Sequence, residues 1–171
     1  MSGKSNRVMK TLLLMRHAKA SREDPSLPDH DRPLSTRGKR DAPRMGRLLR
    51  AKDLTPDLIV SSPAKRALAT AKAVAKASRC DGDPLVAPDL YPGDPPAYTR
   101  VLRALTGKRD RVLVVGHNPG IEQFLGGLVR TSEVLPTAAV AVVELPVTRW
   151  REFREGTRGR LVNVWRPWEV E

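Results

Sequence analysis

The sequence predicts an α/β fold, a three-layer sandwich in which a mostly parallel central sheet carries helices on both faces. Short apolar runs such as 12–15 and 112–115 are continuous rather than alternating, as is typical of strands buried on both faces. These runs alternate along the chain with longer segments of helical periodicity, which is the pattern of strand–helix–strand units. After the last helical segment only strand-like runs remain, which predicts an antiparallel edge on the sheet.

The amino-terminal half is predicted to hold three strands and two helices. The strands are expected at 9–15, 57–61 and 84–87, and the helices at 36–52 and 64–77. Ser35 or Thr36 is expected to cap the first helix, and Pro63 to occupy the first helical position of the second. Pro43 lies inside the first helix and removes a backbone hydrogen bond there, so we expect a kink or a late start. Residues 21–33, rich in proline and aspartate, are predicted to form an exposed loop.

The carboxyl-terminal half is predicted to hold two helices and four strands. The helices are expected at 94–105 and 121–129, and the strands at 112–115, 138–145, 149–153 and 160–164. No repeat, low-complexity stretch or linker interrupts the chain. We therefore expect a flexible tail at 1–8 followed by a single domain at 9–171.

Charge and cysteine content restrict the class of protein. The 171 residues carry 31 basic and 19 acidic side chains, a net charge of +12, which favours phosphorylated substrates, acidic proteins or nucleic acid without choosing among them. Cys80 is the only cysteine, so a disulfide framework is excluded and a structural role is expected for it. The apolar runs are too short for a membrane helix or a signal peptide, which predicts a cytoplasmic protein without a membrane partner.

Two of the three histidines stand where predicted buried strands end. His17 follows Arg16 at the end of the first strand, and His117 begins a His-Asn-Pro-Gly segment after a later one. One histidine in such a place most often bonds a loop backbone, but two at matching positions indicate a site, because open α/β folds bind ligands at the carboxyl ends of their strands. Imidazoles beside the free N–H groups of a helix start suit an anion.

Arg16 and Arg66 complete a predicted phosphoryl site with the two histidines. The guanidinium of Arg16 matches phosphoryl oxygens in charge and planarity. Arg66 alone would be taken as a solvated helix residue, but it lies in the first helical turn after a strand, where the helix dipole also favours an anion. We therefore expect Arg16, His17, Arg66 and His117 to hold one phosphoryl group.

The remaining nucleophiles are histidine, serine and water. The chain has no Walker-type Gly-Lys-Ser and no carboxylate cluster with metal-ligand spacing, and Cys80 lies outside the predicted site. A histidine nucleophile would form a phospho-enzyme, and the flanking arginines would neutralise the phosphoryl oxygens as a metal does elsewhere. This chemistry predicts that neither a metal nor a cofactor is needed.

Four segments in this order resemble the signature of the histidine phosphatase superfamily, which has the phosphoglycerate mutase-like fold. The segments are LLLMRHAKA, RPLSTRG, SSPAKRALATA and VLVVGHNPG. Within that superfamily, the Arg-His-Ala-Lys and Gly-His-Asn-Pro-Gly forms are most similar to the SixA-type phosphohistidine phosphatases. The resemblance implies that His17 accepts the phosphoryl group, that Arg16 and Arg66 bind it and that His117 stabilises its charge. It places Asp89 at the general-acid position, and Ala18 where the signature has glycine.

Three functional hypotheses follow. The first is a metal-independent phosphatase that acts on phosphohistidine in a signalling or phosphotransfer protein, so that its partner is a phosphorylated protein. The second is a small-molecule phosphomonoesterase for a sugar phosphate or nucleotide, which would depend more on Asp89 because an alkoxide leaving group needs a proton. The third is a basic nucleic-acid-binding protein, disfavoured because no specific module is present and aromatic residues are few. His30 is expected at an exposed rim.

Overall fold

The computed structural model describes residues 9–170, so the tail predicted at 1–8 lies outside the described residues. The strands are β1 (Lys10–Arg16), β2 (Leu58–Ser61), β3 (Leu85–Val86), β4 (Arg111–Gly116), β5 (Val140–Leu145) and β6 (Arg160–Trp165). The helices are α1 (Thr36–Ala51), α2 (Lys65–Ser78), α3 (Pro95–Arg103) and α4 (Gly120–Val129). Short 3-10 turns lie at Asp29–Asp31, Pro88–Leu90, Trp150–Glu152 and Pro167–Glu169. Across 9–170, each helix is too short or too polar to cross a membrane.

The six strands form one sheet in the order β3-β2-β4-β1-β5-β6. Strands β3, β2, β4 and β1 run parallel to one another, whereas β5 and β6 pair antiparallel at one side. The predicted mostly parallel sheet with an antiparallel edge is therefore confirmed. Because β1 and β4 are direct neighbours, their carboxyl ends lie side by side.

The apolar runs of β1 and β4 supply side chains to two separate cores. Leu12 and Leu14 of β1 pack on one face with residues of α3 and α4, while Leu13 and Met15 pack on the other face with residues of α1 and α2. Neighbouring positions on a strand point to opposite faces, so a strand covered on both sides needs a continuous apolar run. The predicted three-layer sandwich is confirmed.

Three local predictions need correction. The segment 149–153 was expected to be a strand, but it turns through Trp150–Glu152 so that Trp150 becomes 2 % exposed and its indole N–H donates to the carbonyl of Arg109. Pro63 does not begin α2, because Ala64 occupies the N-cap position. The late start expected from Pro43 does not occur, since α1 begins at Thr36 and continues past Pro43.

The packing of α1 explains why Pro43 does not end it. Ala42, Met45 and Leu49 are fully buried in the core that α1 shares with α2, so tertiary contacts hold the helix on both sides of the proline. The predicted Ser35 cap is confirmed, because the Ser35 hydroxyl accepts a hydrogen bond from the Gly38 N–H at 3.1 Å. The strand predicted at 84–87 is shorter than expected, with only Leu85 and Val86 paired.

The end of β4 has no space for a side chain at Gly116, because another residue lies too close. A Cβ atom at this position would clash with the hydroxyl group of Tyr98 from α3. The same hydroxyl accepts a hydrogen bond from the backbone N–H of His117 at 3.3 Å, and the Tyr98 ring stacks on Phe124 of α4. Helices α3 and α4 thus fix the backbone immediately before and at His117.

We predict that Gly116→Ala lowers the free energy of unfolding by about 1–3 kcal/mol, the usual cost of forcing an extra methyl group into a packed core. Removing the Tyr98 hydroxyl in Gly116→Ala/Tyr98→Phe should recover part of that loss, because the hydroxyl oxygen is the nearest atom to the added Cβ. Urea unfolding of both single variants and the double variant measures the coupling.

Gly127→Ala is the matched control for this prediction. Gly127 lies exposed within α4, and a Cβ there would meet no atom within 4 Å. Alanine should stabilise the helix by about 0.5–1 kcal/mol. Equal effects of alanine at positions 116 and 127, or strictly additive effects of Gly116→Ala and Tyr98→Phe, would contradict the steric explanation.

Candidate functional site

The two histidines meet at the carboxyl edge of the sheet. Arg16 and Gly116 are paired in the parallel register of β1 and β4, and the backbone N–H of His17 donates to the carbonyl of Gly116 at 3.1 Å. The imidazole centroids of His17 and His117 are 5.0 Å apart. Both residues are more than nine-tenths buried. The predicted convergence of the two imidazoles therefore matches the structure.

The contacts of His17 show which ring nitrogen carries the proton and which carries the lone pair. Its Nδ1 lies 2.7 Å from the carbonyl oxygen of Ala18, which can only accept, so Nδ1 carries the proton. Its Nε2 faces the Nε–H of Arg66 at 3.4 Å, as a lone pair would. Ala18 lies outside the left-handed backbone region and donates its N–H to the Thr70 hydroxyl, so alanine fits where the signature has glycine.

His117 is oriented by a buried serine. Its Nε2 lies 2.7 Å from the Ser62 hydroxyl oxygen, which also accepts a hydrogen bond from the Ala64 N–H at 3.2 Å. The Ser62 O–H is therefore available to donate to Nε2, and on that basis we assign the ring proton to Nδ1. That Nδ1 is buried without a protein partner in the described part of the chain. His117 thus keeps one N–H available for a ligand.

Arg66 is held by the loop that precedes α1, an arrangement that the sequence did not reveal. Its Nη1 donates to the Asp29 carbonyl at 2.6 Å, and its Nη2 donates to the Asp29 carboxylate at 2.9 Å. The Tyr91 hydroxyl donates to the same carboxylate at 2.8 Å. Nothing in the spacing of 21–33 marks Asp29 among the other aspartates. The clamp fixes the outer side of the Arg66 guanidinium.

A cavity of about 210 Å³ adjoins the two imidazoles. The residues around it are Arg16, His17, Lys19, Ala20, Arg22, Arg32, Arg66, His117, Asn118 and Thr137. Every charged side chain in this lining is a cation. Arg32, Lys19 and Arg22 were not predicted from the sequence to line the site, although Arg32 begins the RPLSTRG segment and Lys19 ends the Arg-His-Ala-Lys segment. The structure thus brings Arg16, His17, Arg66 and His117 to one cationic cavity.

Asp89 is not brought to this cavity. Its carboxylate lies 3.3 Å from Nε of Arg100, and 57 % of its side chain is exposed. His30 is partly exposed and does not line this cavity, and its ring edge lies against Tyr91 at 4.9 Å between centroids. A larger groove of about 470 Å³ lies between α3 and α4 over Phe124 and Phe153, but neither histidine lines it.

Burial and neighbouring cations keep both site imidazoles neutral. Burial, followed by the charges of Arg66 and Arg16, lowers the pKa of His17 to about 4. Burial also lowers the pKa of His117 to about 3, with His17 and Arg66 contributing. The hydrogen bonds from Tyr91 and Arg66 lower the pKa of the Asp29 carboxyl to about 2, so it is ionised at neutral pH. His17 therefore has the protonation state of a nucleophile rather than of a cation.

The positive charge at the cavity comes from arginine and lysine side chains. Within 9–170, no group of three or more His, Cys, Asp or Glu side chains is placed to hold a metal ion. Arg16 adds a guanidinium whose Nη1 donates to the Leu135 carbonyl at 3.2 Å and whose buried Nε has no protein partner. Such a set of donors can hold an anion with several oxygen atoms.

Comparison with known proteins agrees with this geometry. The family model of the histidine phosphatase superfamily, branch 1, matches residues 12–90. An uncharacterized chloroplast protein of Arabidopsis thaliana is 30 % identical over 159 residues, which cover 86 % of this chain and 72 % of the relative. An uncharacterized Mycobacterium tuberculosis protein is 31 % identical over 153 residues, 83 % of this chain and 93 % of the relative. The structure of the protein histidine phosphatase SixA complexed with tungstate superposes with a TM-score of 0.79 at 26 % identity, covering 93 % of this chain and 98 % of that one.

The lowered histidine pKa values predict a pH-dependent stability. The unfolded chain binds a proton on each histidine near pH 6.5, whereas folded His17 does so only near pH 4. The stability that the neutral histidines contribute should therefore be complete above about pH 6.5. As the pH decreases from 6.5 towards 4, the free energy of unfolding should fall by up to about 1.4 kcal/mol per pH unit per histidine. The stability that ionised Asp29 contributes is lost only as the pH falls below the ordinary Asp pKa of 3.8, so Asp29 does not affect the slope between pH 6.5 and 4.

Urea unfolding between pH 7 and pH 5 measures this dependence. In His17→Gln the free energy of unfolding should change less steeply with pH, by the contribution of one histidine, because glutamine does not titrate. An NMR titration of the wild-type imidazoles gives the pKa values directly. The same slope in wild type and variant would contradict the assignment of this pH dependence to His17.

Proposed function

This chain belongs to the histidine phosphatase superfamily, and from that premise we propose that it removes the phosphoryl group from phosphohistidine in a signalling or phosphotransfer protein. The reaction needs no metal ion and passes through a phosphorylated His17. The observation that carries this proposal is the neutral His17 imidazole, whose Nε2 lone pair lies beside Arg66 and whose ring lies 5.0 Å from that of His117. The overall similarity to the SixA structure supports the substrate class.

The first step transfers the phosphoryl group to the enzyme. The Nε2 lone pair of His17 attacks phosphorus in line, the new N–P bond forms, and the bond between phosphorus and the leaving group breaks. The hydrogen bond from Nδ1 to the Ala18 carbonyl holds the ring and offsets the positive charge that His17 gains. The leaving nitrogen or oxygen takes the electron pair of the broken bond and a proton from solvent.

The second step returns the enzyme to its starting state. Water attacks phosphorus, the N–P bond to His17 breaks, and inorganic phosphate leaves. In both steps negative charge lies on the three equatorial oxygens, and Arg16, Arg66 and the free Nδ1–H of His117 are the donors that stabilise it. These preorganised cations supply the charge that a metal supplies in other phosphoryl-transfer enzymes.

The position of Asp89 favours a nitrogen leaving group. A phosphohistidine nitrogen is protonated more readily at neutral pH than an alkoxide and depends less on a placed acid. Asp89, at the acid position of the family, pairs with the exposed Arg100 instead of entering the cavity. Asp29, the carboxyl group nearest to Arg66, has a pKa of about 2 and does not carry a proton to donate. A small phosphomonoester is therefore the less favoured substrate.

The test is hydrolysis of a phosphohistidine-bearing protein beside p-nitrophenyl phosphate, with EDTA present, by wild type and His17→Ala. We expect turnover of the phosphohistidine by wild type and its loss by at least 1,000-fold in His17→Ala, because no other nucleophile replaces the imidazole. Alkaline quenching of labelled substrate should trap an alkali-stable, acid-labile phospho-enzyme only in wild type. His30→Ala, which removes a histidine that does not line the cavity, is the matched control and should keep its turnover.

The outcomes separate the candidate functions. Turnover that persists in His17→Ala, or that EDTA abolishes, would contradict the proposed mechanism. A preference for an alkyl monoester such as a sugar phosphate would establish the small-molecule phosphomonoesterase, provided that Asp89→Ala removes this turnover and keeps the phosphohistidine turnover. Turnover of neither substrate would reject the phosphohistidine phosphatase.

Ser62 should act as a positioning residue for His117. In Ser62→Ala the Nε2 of His117 loses its 2.7 Å partner, and both ring nitrogens are then unpartnered. We expect kcat to fall about tenfold to hundredfold, the cost of a misplaced donor to a charged oxygen, and its pH profile to shift. Ser61→Ala is the control, because the equally buried Ser61 hydroxyl donates to the Ser62 carbonyl and does not touch the imidazole. Equal losses in both variants would indicate a general packing effect.

A further inference from the structure

The cavity has more positive charge than one phosphoryl group neutralises. Five cations line it, namely Arg16, Lys19, Arg22, Arg32 and Arg66, and no acidic side chain lines it. Asp29, outside the lining, compensates one charge by pairing with Arg66 and Arg32. A phosphoryl dianion compensates two more. The positive charge that remains is enough for a further anionic group.

Of the five cations that line the cavity, Lys19 and Arg22 are the two whose side chains have no partner among the described residues. Elsewhere among the described residues some exposed arginines have acidic partners, such as Arg100 with Asp89 and Arg160 with Glu144, whereas others, such as Arg151, have none. At the cavity, Arg66 and Arg32 share Asp29, and Arg16 donates to the Leu135 carbonyl. Unpaired cations are expected in a chain with a net charge of +12, and what distinguishes Lys19 and Arg22 is that they line the cavity beside the imidazoles.

The backbone that carries Lys19 and Arg22 is fixed. The Lys19 carbonyl accepts hydrogen bonds from both the N–H and the hydroxyl of Ser35, the cap of α1. Ser21 donates its N–H to Pro33 at 2.8 Å and accepts from Nε of Arg32 at 3.1 Å. These bonds join both sides of the loop, so the two side chains start from set positions at the cavity rim. Because the backbone at these residues is already ordered, binding an anion there costs less conformational entropy.

The arrangement divides the cavity into two parts. The buried His17, Arg66 and His117 form its floor together with the half-buried Arg16, and the exposed Lys19 and Arg22 form its rim. We propose that the rim is a subsite for a second anionic group, so that the preferred substrate carries such a group beside the phosphoryl group. The proposal deepens the proposed function and rests on it. The second group has two possible sources, a carboxylate flanking phosphohistidine or a second phosphoryl group.

A binding measurement tests the subsite without turnover. Calorimetric titration compares methylenediphosphonate with methylphosphonate, two ligands that the enzyme cannot hydrolyse at the P–C bond. We expect wild type to bind the diphosphonate more tightly and Lys19→Ala/Arg22→Ala to lose about tenfold of that preference, the combined effect of two screened ion pairs. Raising the salt concentration should reduce the preference in wild type more than in the double variant.

Lys72→Ala/Lys76→Ala is the matched control. Both lysines are exposed on α2, so this variant loses the same net charge but keeps the rim. The control should keep the wild-type preference. An equal loss in both double variants would assign the effect to overall charge and overturn the subsite.

A kinetic measurement identifies the source of the anion. Two phosphohistidine peptides are compared, one with glutamate and one with alanine on both sides of the phosphohistidine. A kcat/KM about tenfold higher for the glutamate peptide, lost in Lys19→Ala/Arg22→Ala, supports the carboxylate. A diphosphonate preference without a peptide preference supports the second phosphoryl group. If neither preference depends on Lys19 and Arg22, the subsite is wrong. If no phosphohistidine substrate is hydrolysed while the diphosphonate preference depends on these cations, the proposed function fails and the anionic subsite stands.

Discussion

The site depends on the parallel pairing of β1 with β4. When two adjacent parallel strands end at paired residues, the residues that follow them lie side by side. For β1 and β4 these residues are His17 and His117. The bond from the His17 N–H to the Gly116 carbonyl continues the ladder to the edge of the site. Because both strands are covered on two faces by helices, their ends cannot move apart without opening both cores. The distance between the imidazoles is therefore as rigid as the sheet.

Burial then determines the chemistry of the two imidazoles. Removing water from His17 and His117 lowers their pKa values, and the surrounding guanidiniums lower them further. A neutral imidazole keeps the lone pair that phosphoryl transfer requires. In the proposed mechanism the same guanidiniums bind the oxygens of the phosphoryl group, so that one set of charges keeps the nucleophile neutral and stabilises the charge of the substrate. Asp29 limits the repulsion among these cations by pairing with Arg66 and Arg32.

Local patterns predicted the elements well where local physics decides them. Continuous apolar runs gave β1 and β4, and the Ser35 cap gave the start of α1. The predictions failed where distant contacts outweighed local preference. Packing against α2 keeps α1 helical past Pro43, and burial of Trp150 bends a segment whose composition favours a strand. In both cases the energy of burying apolar surface exceeds a preference that spans a few residues.

The sequence by itself determined the fold class, the strand-end positions of Arg16, His17 and His117, and the helix start that carries Arg66, because each follows from residues that are neighbours along the chain. Only the tertiary structure decided that β1 and β4 are adjacent in the sheet, that Asp29 and Tyr91 hold Arg66, and that Asp89 stays outside the cavity. The order of parallel strands depends on crossover helices and on the packing of both cores. Side-chain contacts between distant segments depend on how loops close over the sheet edge. Neither leaves a periodic or motif signal in one sequence, so those parts of the site appear only when the chain is folded.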